Sequence, residues 1–167
     1  MTLNFTREND THIALIAPKS ELDYYHQDSC HIEIGIDAIS AFAKMTDDTP
    51  KWLSTSFFIR DKISRVFGVK QINGFSKIRP TTKPDIGDKL DFFDVQYSET
   101  DELVLTSVDR HLGVLVSIQT TSKDAKTNKL IITTSVKNKN FFGRVYMIPV
   151  RPIHEIIVRK LKAKLQV

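Results

Sequence analysis

Asp109, Arg110 and His111 are consecutive and form the densest polar group in the second half of the chain. A carboxylate beside an imidazole can orient and charge it, as general acid–base pairs require. In a strand, however, neighbouring side chains point to opposite faces, so Asp109 and His111 can share a face while Arg110 cannot. The same residues also suit a hairpin turn, with Asp as the turn former. His154, with Arg151 one turn before it and Glu155 beside it, would form the polar end of a cavity if it faced inward. Outward, it would be one more solvated residue on a basic helix. Tyr146 is similar, since its hydroxyl can meet a ligand or a backbone carbonyl.

Other chemistries find less support. Cys30 is the single cysteine, so no internal disulfide can form. It sits between His26 and His31, but metal sites need three or four ligands at regular spacings, and the five histidines form no HExxH-like pair. No metal or cofactor site is therefore expected. The chain has neither a GxSxG elbow nor a P-loop. A lone cysteine and no secretory signal near Ile13–Ala17 lead us to expect a cytoplasmic protein. No apolar run approaches the roughly 20 residues of a transmembrane helix.

The formal charge is +4, and it is uneven. From Arg144 onward, Arg144, Arg151, Arg159, Lys160, Lys162 and Lys164 face only Glu155, so this segment alone is strongly basic. An anionic surface would meet it first. No aromatic residues interleave these cations as stacking platforms, so nucleic acid is not expected as a partner.

The elements that must position these groups follow from periodicity. With 167 residues, the chain fits one domain spanning 1–167. Cys30, Ile32 and Ile34 alternate with polar neighbours, as in a half-buried strand. Asp37 caps a short helix reaching about Thr46, and Thr49–Pro50 opens a second helix ending at Gly68, with Trp52, Leu53, Phe57 and Ile63 on its apolar face. Asn73 to Lys89, with Pro80 and Pro84, reads as a loop or lid. Four period-two runs follow, marked by Phe93, Val95 and Tyr97; by Leu103 and Leu105; by Leu112, Val114, Val116 and Ile118; and by Leu130, Ile132, Thr134 and Val136. Short polar turns between them imply antiparallel neighbours. From Phe141 on, Val145, Ile148, Ile153, Ile156, Ile157, Leu161 and Leu165 recur at helical spacing, opposite a basic face. Pro149 and Pro152 imply a kinked helix or two helices meeting there. The fold class is α+β: a curved antiparallel sheet, two short N-terminal helices and a long C-terminal helix closing the concave face.

Several motifs together resemble a bacterial family catalogued as domain of unknown function 2867. They are Trp52 with Arg60, Asp61 and Phe67–Lys70; Gly87, Asp88 and Phe93; Asp101–Leu105; Asp109–Leu112; and Gly143–Tyr146 followed by Pro152 and His154. The chain departs from the pattern after Leu112, continuing Gly113, Val114, Leu115 where members often carry an acid and a base. The resemblance implies a helix-grip fold, like the START-related and plant-allergen-related domains that enclose hydrophobic ligands, and it implies no reaction. Some members follow a Rossmann domain, but this chain has no GxGxxG array, so it is expected to be the stand-alone form.

On that architecture, a cavity between sheet and C-terminal helix would hold an apolar or amphipathic small molecule against Trp52, Phe93, Val114, Val116, Ile132, Tyr146 and His154. The alternatives are an enzyme using the same cavity with Asp109, His111 or His154 as acid or base, and a peripheral anionic-surface contact through the basic helix. The sequence sets no oligomeric state.

Overall fold

The computed structural model describes residues 5–8, 12–47, 83–122 and 127–165. The expected second helix, and Trp52 with it, lies outside these residues, as does most of the expected loop from Asn73.

A small hairpin, β1 (Thr6–Arg7) with β2 (Ala14–Leu15), precedes the long strand β3 (Tyr24–Glu33). Helix α1 (Ala38–Thr46) starts where Asp37 predicts: the Asp37 carboxylate accepts the Ser40 N–H at 2.6 Å, satisfying one of the unpaired donors of the first turn. Then come β4 (Lys89–Leu90), β5 (Phe93–Ser98), β6 (Glu102–Val108), β7 (Leu112–Ser122), β8 (Thr127–Asn138) and helix α2 (Phe141–Lys162). Among the described residues the main sheet has six antiparallel strands in the order β3-β8-β7-β6-β5-β4. The fold is thus α+β, with the C-terminal helix in place.

Register decides which side chains reach the covered face. Thr134 of β8 pairs with His26 of β3 and with Val116 of β7, so all three point the same way. Their face carries the main core, in which Ile32, Leu103, Leu105, Ile118 and Leu130 meet Phe42 and Met45 of α1 and Val158 of α2.

Four expectations need correction. Tyr97 does not share a face with Phe93 and Val95: a bulge at Gln96 shifts the register, so Val95 pairs with Leu105 but Tyr97 with Val104. Tyr97 consequently packs on the opposite face with Ala14, Val104 and Leu115. That opposite face is covered by the β1–β2 hairpin, which was not anticipated. Ile16 donates its N–H to Ser135 Oγ at 3.0 Å. Arg7 also reaches across to Glu102, with Nη1 at 3.0 Å from Oε1 and Nη2 at 2.8 Å from Oε2. Ile34 lies past the end of β3 in the turn with Gly35, and is exposed.

The fourth correction is the rotation of α2. Of the two expected alternatives, one helix or two, it is one, running through Pro149 and Pro152. Gly143, Met147 and Val158 are its buried positions, whereas Val145, Ile148 and Ile156 are exposed. Part of the expected basic outer face is turned back onto the body. Arg151 donates to the Asp23 carbonyl at 2.7 Å, Lys162 donates to the Asp28 carboxylate at 2.6 Å, and Lys164 donates to the Met45 carbonyl at 3.2 Å. Apolar residues therefore occupy both sides of α2, and the contacts with β3 and α1 choose between them.

Candidate functional site

Between α1, α2 and the covered face of the sheet lies a cavity of about 270 Å³. That is close to the lower end of small-ligand sites, which begin at about 300 Å³. Phe42 and Met45 close it from α1; Val114, Val116, Ile132 and Val136 line it from the sheet; Tyr146, Met147, Val150 and Ile157 line it from α2. The wall is overwhelmingly apolar.

The side chains singled out from sequence distribute as follows. Phe93, Val114, Val116, Ile132, Tyr146 and His154 line the cavity, and Trp52 is outside the described residues. Among the Asp109–Arg110–His111 group, only Asp109 contributes to the wall.

Those three residues make the turn between β6 and β7, and their polar atoms hold it together. Asp109 Oδ1 accepts the N–H groups of His111 at 2.7 Å and Leu112 at 3.0 Å, while the Asp109 N–H donates to the Leu112 carbonyl. This is an Asx-type turn. The carboxylate thus serves backbone N–H groups and not the imidazole. Arg110 Nε–H donates to His111 Nε2 at 2.8 Å, which leaves Nδ1 to carry the proton donated to Asn140 Oδ1 at 3.1 Å. Asn140 in turn caps α2, accepting the Gly143 N–H at 3.2 Å. The turn is the socket of the helix. Gly143 fits because it lacks a side chain: a Cβ there would meet the His111 carbonyl oxygen at 2.4 Å.

The apolar run after His111 has a packing reason as well. Gly113 faces the hairpin, where a Cβ would already touch Ile16 at 3.3 Å, Val114 faces the cavity, and Leu115 packs under Ala14.

The polar part of the wall lies where β3, β8 and α2 meet. Tyr24, His26 and His154 form a ring cluster: Tyr24 and His26 are stacked at 6.4 Å, and His154 approaches each edge-on, at 5.7 Å and 6.2 Å. Burial, aided by the neighbouring His26, lowers the His154 imidazole to a pKa of about 4. Burial also raises the Tyr24 phenol to about 12, with Glu155 adding to the effect and Arg151, stacked over the ring at 6.0 Å, opposing it. Both groups are therefore neutral at pH 7. Tyr24 and Thr134 were not foreseen as wall residues. The signal was present, because Tyr24, His26, Asp28 and Cys30 alternate along one face and extend the strand upstream of Ser29.

Cys30 is buried on the core side of β3, where desolvation raises its thiol pKa. His31, one residue on, points to the other face. No cluster of three or more metal-ligating side chains occurs among the described residues, and none of their helices is long and apolar enough to cross a membrane.

The family of proteins of unknown function (DUF2867) has a model that matches residues 20–161. The chain belongs to that family. Neither a curated protein nor a solved structure matches it significantly. Its Asp101–Leu105 motif supplies Glu102 for the Arg7 pair and Leu103 and Leu105 for the core, and its Asp109–Leu112 motif supplies the socket of α2. The Trp52 to Lys70 motifs lie outside the described residues.

Proposed function

We propose that this chain is a single helix-grip domain, START-like in architecture, that binds a hydrophobic or amphipathic small molecule in the cavity between sheet and α2. The carrying observation is the cavity itself: about 270 Å³ walled by Val, Ile, Met and Phe side chains from both helices and the sheet. Cores are normally packed to crystal-like density, with few voids larger than a water. An apolar space of this size in a chain of 167 residues is a recognised form of ligand site.

A binding role is favoured over catalysis in the same cavity, because Asp109 is held by the backbone N–H groups of its own turn. The buried, unpaired thiol of Cys30 supports a reducing, cytoplasmic setting. Contact with an anionic surface through α2 is weakened by Arg151, Lys162 and Lys164, which bind the body of the protein.

Naphthalene, small enough for the cavity, tests the reading by fluorescence titration. Wild-type protein should bind it saturably, and Val116→Phe, which fills the space from β7, should abolish binding while keeping a cooperative thermal transition. Absence of saturable binding to the wild type, or unchanged binding to a folded Val116→Phe variant, overturns the proposal.

A further inference from the structure

The cavity wall has one end that is not apolar. Tyr24 Oη, His26 Nε2, Thr134 Oγ1 and His154 Nδ1 are buried polar atoms with no hydrogen-bond partner among the described residues. Three of the four side chains, Tyr24, Thr134 and His154, line the cavity. The fourth, His26, pairs directly with Thr134 across β3 and β8 and stands 6.2 Å from the His154 ring. Leaving one such atom unsatisfied costs about 1–3 kcal/mol, so a cluster of them is not a by-product of packing.

From this cluster we infer a polar subsite that receives an uncharged hydroxyl or carbonyl group of the bound molecule, making its ligand class neutral and amphipathic, with a compact apolar body and one polar end. The inference rests on the binding role proposed for the cavity. Its chemistry follows from the residue types. A phenol, a threonine hydroxyl and two imidazoles can each donate or accept, depending on rotor or tautomer. They adapt to a hydroxyl or a carbonyl without supplying a fixed charge. A carboxylate would require a fixed cation at the same place, and the nearest ones among the described residues are engaged elsewhere. Arg151 donates to the Asp23 carbonyl and stands over the Tyr24 ring at 6.0 Å, and Lys162 is paired with Asp28. The low pKa of His154 agrees with a neutral subsite.

Three probes sharing one skeleton test this: naphthalene, 2-naphthol and 2-naphthoate, titrated at pH 7.5 into wild type, Thr134→Val and His154→Phe. One or two new hydrogen bonds should make 2-naphthol bind wild type about three- to tenfold more tightly than naphthalene, and 2-naphthoate should bind more weakly than 2-naphthol. In each variant the naphthol-to-naphthalene ratio should fall towards one. Equal binding of naphthol and naphthalene by wild type, tightest binding of naphthoate, or ratios unchanged in both variants overturns the subsite while leaving the cavity reading intact. Failure of all three probes removes the cavity reading and the subsite with it. Thermal transitions recorded for each variant separate loss of recognition from loss of fold.

Discussion

His26 on β3 and His154 on α2 meet edge to face, with ring centroids 6.2 Å apart, and His26 Nε2 and His154 Nδ1 each lack a hydrogen-bond partner among the described residues. The pair couples the outermost strand of the sheet to the helix that covers it, so whatever charges one ring acts on the seat of the helix.

Acid should therefore loosen the protein through His154. Its folded pKa is depressed from 6.5 to about 4. Above pH 6.5 neither folded nor unfolded chain binds this proton. As pH falls, the unfolded chain takes it up first, so stability declines until the folded protein also binds it near pH 4. The loss from this residue should reach about 2 kcal/mol at pH 5 and about 3 kcal/mol by pH 4. Tyr24 and His26 from β3, and Arg151 and Glu155 on α2, are the other titratable groups around it. Urea unfolding of wild type and His154→Phe at pH 7.5 and 5 checks the assignment: the variant should lose markedly less stability on acidification. Parallel losses would mean that His154 is not held neutral by burial.

Thr134 offers the opposite lesson. It is almost fully buried, and its hydroxyl has no partner among the described residues. Thr134→Val keeps the shape and removes the orphaned group, so the ligand-free protein should gain about 1 kcal/mol and melt a few degrees higher. Substitution that lowers the melting temperature instead would show that the hydroxyl is satisfied in the folded protein.

The parts of this architecture readable in sequence were those fixed by local rules. Asp37 announced α1 because a cap needs only its own first turn, and the runs from Phe93 to Val136 announced strands because one face is buried throughout. Tyr97 misled, because a bulge changes which face a residue occupies without changing the period around it. The rotation of α2 also misled, because valine and isoleucine lie all round the helix. Distant partners, among them His111 at one end and Asp28 at the other, select the buried side. The hairpin was missed since its strands have two residues each. Alternation alone puts Phe93, Val114, Val116, Ile132 and Thr134 on the covered face, but it does not say that the Thr134 hydroxyl goes without a partner among the described residues.

Gly143 should resist the most conservative change. Glycine to alanine inside a helix normally gains about 1 kcal/mol. Here the added methyl would stand 2.4 Å from the His111 carbonyl oxygen, which also accepts the Lys139 N–H at 2.7 Å and so has little freedom to retreat. Gly143→Ala is expected to destabilise by about 1–3 kcal/mol, as overpacking does, with the loss visible as a lower melting temperature by circular dichroism. A higher melting temperature would show that the α2 socket is looser than its geometry.

At the far end of α2 the helix is held by charge. Lys162 donates to Asp28 Oδ2 at 2.6 Å, and the Ser29 N–H occupies Oδ1 at 2.8 Å. Burial alone would raise the Asp28 carboxyl, but these hydrogen bonds prevail and its pKa lies below the usual 3.8. Its contribution to stability is therefore present above pH 3.8 and is lost as pH falls through the lower, folded value. That window lies below the one in which His154 acts, so the two contacts are separable by titration. A double-mutant cycle with Asp28→Asn and Lys162→Met should give a coupling of about 1 kcal/mol at pH 5 that declines once the pH falls below 3.8 and the carboxylate is protonated. Amide exchange in the last turns of α2 should quicken in Lys162→Met while the core of β7 stays protected. Equal acceleration in both places would mean that the end of α2 opens only when the whole sheet unfolds, and that Lys162 is not a local clasp.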